Sequence, residues 1–201
     1  MKLAEGRCFL DVGAGNGTFS RVATKRGFRV SAIEPNGNAS AVFREVNGFS
    51  PQQRLFDRAF AEQTPGSCDV VLLSQVLEHM LNPLDTVKNL HVVLRPRGIA
   101  AIAVPHFGSL LSRLQGTNDM FVSPPEHLNF FSRRGLSELF VNNGFSLRVF
   151  ETVSKVPRQR IERMARLRLV GALGWRATYA AMRLSDWCSA GMVLNAYFQK
   201  T

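Results

Sequence analysis

The sequence predicts a doubly wound α/β fold, on three observations. Short apolar runs alternate with helix-like segments from residue 8 onward, the first run ends in the glycine-rich turn Gly13-Ala14-Gly15-Asn16-Gly17, and an acid, Glu34, closes the second run. A chain of 201 residues that is 45% hydrophobic and 20% charged suits a single globular domain with a sizeable core.

Taken in order, residues 8–12, 29–33, 53–56, 69–73 and 98–104 read as strands of a mostly parallel sheet. Residues 18–26 form a helical segment that stops at Gly27, and 37–46 form another that stops near Gly48. Asn82 followed by Pro83 supplies a capping side chain and a first-turn proline for a helix reaching about Leu94. Ser132 caps a helix through Phe140 that ends at Asn143-Gly144, after which FSLRVFETV and GMVLNAYFQK read as two further strands. Between those two strands lies a basic helical insertion at about 157–187. There Arg160, Arg163 and Arg166 form one stripe, with Ile161, Met164, Ala165, Ala172 and Trp175 opposite, although Arg158 and Arg168 spoil the separation. Neither a repeat nor a linker interrupts the pattern, so residues 1–201 are read as one domain.

The net charge of +10 is concentrated late, with nine basic and three acidic side chains in residues 151–201. Such a field suits an anionic substrate, an acidic membrane surface or simply a solvated face. Basic and aromatic residues do not interleave compactly, which argues against nucleic acid. Cys8, Cys68 and Cys188 are odd in number and scattered, so buried reduced thiols are expected. The opening MKLAEGR lacks the apolar segment of a signal peptide and no spanning-length apolar run follows, which points to a cytoplasmic protein.

A glycine turn that enters a helix lets a ligand approach the backbone closely. Dinucleotide enzymes use Gly-x-Gly-x-x-Gly; here the third glycine comes one residue early, at Gly17, and Thr18 takes the dinucleotide position. That spacing disfavours a nicotinamide-dependent oxidoreductase. Glu34, at the end of the second strand in VSAIEPNG, is placed to accept both hydroxyls of a ribose.

Together FLDVGAGNGTF, IEP, CDVVLLSQVLEHM, LRPRGIAAIAVP and PPEHLNFFSRRGLSELFVNNGF resemble the class I S-adenosylmethionine-dependent methyltransferases, in the branch of ubiquinone-pathway and small-molecule enzymes. The resemblance runs from residue 8 to about residue 150, and the strand ending YFQK is similar to the family's last strand. It implies a Rossmann-like, seven-stranded, mostly parallel sheet with one antiparallel strand, and S-adenosylmethionine across the strand ends. It further implies that Asp11, Gly13, Ala14, Gly15 and Gly17 face the methionine part of the cofactor. Glu34 would hold the ribose, Pro35 would border the adenine, backbone groups of Phe60 and Ala61 would bond it, and Ser74 and Gln75 would lie along the methionine.

Methyl transfer from a sulfonium needs alignment above all, and a hydroxyl acceptor also needs a base, for which histidine is suited near neutrality. His127 in PPEHLNFF is the first candidate, followed by His79 in LEHM and His106 in AVPHFGS; His91 reads as structural. Each of the three also has a plain structural reading. Some relatives set two glutamates and two histidines around a divalent metal. Gln75, Glu78 and His79 at i, i+3 and i+4 with His127 partly match that pattern, but the first glutamate is replaced by a neutral amide, so no metal is assigned. Phe107, Leu110, Leu111, Leu114, Met120, Phe121, Phe130 and Phe131 are candidate walls of an acceptor pocket or core residues. The sequence reading is a methyltransferase acting on a small or lipid-linked acceptor with an anionic part, with peripheral membrane contact through the basic insertion. The alternative is a catalytically degenerate domain that only binds.

Overall fold

The structure is a computed structural model that describes residues 6–116, 125–154 and 172–201. Six strands form one sheet: β1 (Cys8–Val12), β2 (Arg29–Ile33), β3 (Cys68–Ser74), β4 (Leu94–Pro105), β5 (Phe145–Val153) and β6 (Val193–Lys200). Their order is β2-β1-β3-β4-β6-β5. Strands β1 to β4 run parallel, and β6 is antiparallel to both of its neighbours, as the sequence led us to expect. The helices are α1 (Thr18–Lys25), α2 (Gly37–Asn47), α3 (Arg58–Gln63), α4 (Pro83–Val93), α5 (Leu110–Gln115), α6 (Arg133–Val141) and α7 (Ala172–Trp187).

The strand expected at 53–56 does not form, so the described residues hold six strands rather than seven. One rung survives at the sheet edge: Gln52 N–H donates to Ala32 O at 2.8 Å and Glu34 N–H donates to Gln52 O at 3.0 Å. Arg54 N–H then turns back onto Gln52 O at 3.0 Å, which bends the chain out of the sheet. The chain then turns inward, burying Phe56 and placing Asp57 as the cap of α3 through a bond from Phe60 N–H at 2.8 Å. The expected caps Asn82 and Ser132 both accept bonds from the first turns of their helices.

The alternation of strand side chains divides the sheet. Leu10, Val71, Leu73, Ile102, Leu194 and Phe198 are buried on the face carrying α4 and α6, where Phe198 stacks on Phe140 with ring centres 4.1 Å apart. On the other face, Val70, Leu72, Ala103, Asn195 and Tyr197 are only partly covered. Of the expected basic insertion, residues 172–187 are the helix α7; Arg160, Arg163 and Arg166 with Ile161, Met164 and Ala165 lie outside the described residues. All three cysteines are free, with Cys68 buried, Cys8 half-buried and Cys188 exposed rather than buried. Among the described residues no helix is long and apolar enough to cross a membrane.

Candidate functional site

Val12 pairs with Ile33 on one side and with Leu73 on the other, and Ser74 pairs with Ala103. The loops that leave these strands therefore gather at one edge of the sheet. The chain goes from β1 to β2 on one side and returns to β3 on the other, which opens a crevice above β1.

The three glycines of the first loop all have left-handed backbones, with φ of 65° at Gly13, 53° at Gly15 and 76° at Gly17, yet they face different surroundings. A methyl group on Gly13 would come within 2.5 Å of Val76. One on Gly17 would strike Phe43 and Asn47 of α2, and the Asn47 amide also donates to Gly17 O at 3.2 Å. One on Gly15 would meet nothing within 4 Å. Gly13 and Gly17 thus serve close packing, and Gly15 leaves open space over the crevice. Ala14 N–H ties the loop to Ile33 O at 3.0 Å.

Glu34 is buried beside this loop and takes Gly15 N–H on one carboxylate oxygen at 2.7 Å and Asn36 N–H on the other at 2.8 Å. Each oxygen keeps a lone pair for a further donor. Pro35 is exposed next to it. Asp11 lies beneath the loop, accepting Ser20 Oγ–H at 2.6 Å. Burial lifts its carboxyl to about 6, opposed by the bonds from Ser20 and helped slightly by the Glu34 charge.

Phe60 and Ala61 are buried in α3, and their backbones are committed. Phe60 N–H goes to the Asp57 side chain, Ala61 N–H to Asp57 O at 3.1 Å, and the two carbonyls accept from Thr64 Oγ and N–H. The N-capped turn of helix thus uses both N–H groups, and what these residues keep for a ligand is the second lone pair of each carbonyl oxygen.

On the other side of the crevice β3 ends at Ser74, and Gln75 follows with φ 57°, a left-handed backbone that is strained for a residue with a side chain. Its amide donates to Ala103 O at 3.3 Å. A 3-10 turn, Leu77–His79, buries Leu77 and Glu78. The loop at 125–131 is clamped to that turn: Leu128 and Asn129 N–H both donate to Glu78 O, at 2.9 and 3.0 Å, and the Asn129 amide reaches Met80 O at 2.6 Å. The clamp brings His127 edge-on to His79, with ring centres 4.9 Å apart. His79 Nδ1–H donates to Glu126 O at 2.6 Å.

Glu78, His79 and His127 then offer three ligand atoms that all lie within 4.8 Å of one another. Glu78 is 0% exposed, and neither carboxylate oxygen has a hydrogen-bond partner. Burial raises its pKa, opposed first by the nearby N–H of its own backbone, which lies outside hydrogen-bond geometry, and then by His79 and His127. A buried carboxylate facing two imidazoles is a donor set that fits a divalent cation. His106 is elsewhere: it is buried, with Nδ1 bonded to Gly191 O at 2.8 Å, and burial lowers its pKa. His91 packs its ring on Phe145. The sequence proposed three histidines; the structure gathers two of them with Glu78. The sequence reading set Glu78, His79 and His127 in one pattern with Gln75; the structure brings the first three together and turns the Gln75 amide to Ala103 O.

Phe107 and Phe130 are exposed with rings 5.5 Å apart, and Leu110 and Leu128 are exposed as well. Phe131 belongs to the core instead. Met120 and Phe121, and the side chains of Leu111 and Leu114, lie outside the described residues. A cleft of about 350 Å³ on the less covered face is lined by Phe19, Ser74, Gln75, Asn195 and Tyr197 among others.

Residues 1–148 match a family described as a methyltransferase domain. The ubiquinone biosynthesis O-methyltransferase of Pseudomonas paraeruginosa is 29% identical over 142 residues, 60% of this chain and 60% of that protein. The chain thus spans about 60% of the length of such relatives. Among solved structures, a SAM-dependent methyltransferase of Thermotoga maritima superposes with a TM-score of 0.66 at 19% identity, covering 99% of this chain and 84% of that one. The [4+2]-cyclase SpnF superposes with a TM-score of 0.64 at 20% identity, covering 98% and 76%. Likeness at these identities establishes the fold, and the cyclase shows that the fold hosts more than one chemistry.

Proposed function

This chain belongs to the methyltransferase-domain family, and from that premise we propose that it is an S-adenosylmethionine-dependent methyltransferase acting on a hydroxyl of a small-molecule acceptor. The observation that carries the reading is the pairing of Glu34 with the open backbone at Gly15, a carboxylate with two spare lone pairs beside the one glycine of the first loop that faces free space. Those residues fit a nucleoside: Glu34 takes the two ribose hydroxyls, exposed Pro35 borders the adenine, and Gly13, Ala14, Gly15 and Gly17 let the methionine chain approach over Asp11. Ser74 and Gln75 close the opposite wall. When bound, S-adenosylmethionine supplies the activated methyl group; the protein's task is alignment and removal of the acceptor's proton.

We assign the second task to Glu78, His79 and His127, the trio at the acceptor end. His127 and His79 are its accessible members, while His106 is held to Gly191 O in a structural role. The exposed Phe107, Leu110 and Phe130 offer an apolar wall, in keeping with a quinone precursor or a lipid-linked acceptor. The described part of the insertion presents Tyr179, Leu184 and Trp187 to solvent beside exposed Arg183, in keeping with peripheral contact with an anionic membrane. Sedimentation with acidic but not neutral vesicles supports that contact; equal retention by both refutes it.

Calorimetry tests the central reading. S-adenosylhomocysteine should bind saturably and NADH should not, and Glu34→Ala should weaken binding by about 100-fold, since two charge-assisted bonds are lost. Labelled methyl transfer into a metabolite extract then identifies the acceptor. Saturable binding of NADH alone overturns the assignment, and binding without transfer to any acceptor favours a domain that only binds.

A further inference from the structure

We propose that the cleft on the less covered face of the sheet is the specificity site for the acceptor. It holds the part of the acceptor remote from the reacting hydroxyl, and it takes an uncharged planar group with a hydrogen-bonding substituent in preference to a carboxylate. Its link to catalysis rests on the methyltransferase reading; three features of the cleft carry the rest.

The first is position. The cleft, of about 350 Å³, shares Ser74 and Gln75 with the crevice wall that faces the glycine loop, and it also includes Phe19, which follows Gly17 and Thr18 in the chain. Both loops that bound the cofactor crevice therefore lead into the cleft. A ligand that reaches past Gln75 passes from the strand ends onto the sheet face, where Phe19 is 52% exposed and offers apolar surface. Binding energy gained there, away from the reacting atoms, is available to hold the acceptor hydroxyl in line.

The second feature is lining. Strand register sets Ala101 between Leu72 and Tyr197, and Ala103 between Ser74 and Asn195, all on one face of the sheet. The two alanines make a low floor between taller side chains, a slot that suits a flat group better than a branched one. Among the described residues neither the Asn195 amide nor the Tyr197 hydroxyl has a hydrogen-bond partner, so both are available to a ligand's substituent. Burial, helped by the Glu151 charge, raises the pKa of Tyr197 and keeps its hydroxyl protonated as a donor. Apolar walls with a few convergent polar groups are the usual composition of a small-molecule site.

The third feature is charge. None of the described lining residues carries a charge at neutral pH, and Glu151, the cross-strand partner of Asn195, places an exposed carboxylate on the same face. A ligand carboxylate entering the cleft would lose water without gaining a cation and would meet a like charge. An amide or carbonyl of the same shape escapes both costs and can bond Asn195 and Tyr197. The sequence suggested an acceptor with an anionic part; the cleft assigns a neutral group to the part that it holds.

The test uses the full chain and two probes of matched shape and different charge, 2-naphthamide and 2-naphthoate, with binding followed by ligand-observed NMR with and without S-adenosylhomocysteine. The amide should bind about tenfold more tightly than the carboxylate, and Glu151→Gln should narrow that ratio by about threefold. Tyr197→Phe and Asn195→Leu should each weaken the amide by about three- to tenfold. Ala103→Leu, which fills the floor, should remove amide binding and leave S-adenosylhomocysteine binding in place. Failure of the amide to bind the parent, equal affinity for the two probes, or amide binding undiminished in both Ala103→Leu and Tyr197→Phe overturns the proposal. S-adenosylhomocysteine binding is titrated on the same samples. Its absence with discrimination between the probes intact sinks the methyltransferase reading and leaves a site for a neutral ring, and the converse sinks the cleft alone.

Discussion

The two walls of the crevice solve the problem of buried polar groups in opposite ways. At the glycine-loop wall every buried carboxylate is satisfied from within the chain: Asp11 by Ser20, Glu34 by two backbone N–H groups. At the histidine wall Glu78 is buried with both oxygens unpaired. The first wall is therefore complete before anything binds, and a ligand there adds donors to lone pairs already aimed. The second is complete only when something positive arrives. Substitutions should accordingly destabilise the first wall and can stabilise the second.

Gly17→Ala tests the completeness of the first wall most severely. The added methyl group would strike Phe43 and Asn47 from a left-handed backbone, so about 3 to 5 kcal/mol of stability should go, lowering Tm by roughly 6 to 20 °C. Gly15→Ala meets no neighbour and should cost only about 1 kcal/mol, while impairing S-adenosylhomocysteine binding far more than it impairs folding. If thermal melts place the two variants together, the division of labour among the glycines is wrong.

Asp11 gives the next effect, through pH. The unfolded carboxyl ionises near 3.8, whereas in the folded protein burial holds it protonated to about 6. The raised folded value means that this contribution is full below 3.8, declines as pH rises, and is lost above about 6. The difference amounts to roughly 3 kcal/mol at most. Asp11→Asn, which stays neutral and can still accept from Ser20, should therefore gain on the parent as pH rises from 4 to 7. A constant gap between the two denaturation curves across that range would show that Asp11 is not desolvated by its place beneath the loop.

At the second wall the sign reverses. Glu78→Leu replaces an unpaired buried carboxylate by an apolar side chain of similar size and should raise stability by about 2 kcal/mol, at the expense of turnover. A destabilised variant would mean that Glu78 is satisfied in solution by the chain itself.

The same contrast explains what could be read from the sequence. Strands 8–12 and 29–33 coincide with the observed elements because each is an apolar run bounded by turn residues, and Asn82 and Ser132 cap helices because capping chemistry is local. The glycine loop and Glu34 were legible for the same reason: spacing within one βαβ unit fixes their geometry. Residues 53–56 misled because the apolar pair Leu55-Phe56 looks like part of a strand, whereas the chain bends at Arg54 after a single rung and buries Phe56 alone in the core. At Phe60 and Ala61 the sequence reading did not recognise Asp57 as an N-cap that uses their N–H groups. The members of the trio at the second wall were named through the family resemblance, but their geometry depends on Asn129 clamping a distant loop to a 3-10 turn, a contact across 49 residues that no local pattern encodes. His106 differs from His127 only in what surrounds it, which is a property of the fold.

That last difference yields the smallest prediction. His106 is buried with its Nδ1–H on Gly191 O, and burial lowers its pKa below the ordinary 6.5. In the unfolded chain the ring takes up a proton as pH falls through 6.5, while in the folded chain it resists. Its contribution is thus fully present above 6.5 and is lost as pH falls through the lowered folded value. His106→Asn keeps an amide donor for Gly191 O and cannot be protonated. It should cost about 1 kcal/mol at pH 8, the worth of one imperfectly replaced hydrogen bond, with the penalty shrinking toward pH 5. Methyl transfer should be unchanged at every pH, because the ring stands apart from the trio at the second wall. A variant of normal stability but lost turnover would place His106 among the reacting groups and move the acceptor from the Glu78 side of the crevice toward the end of β4.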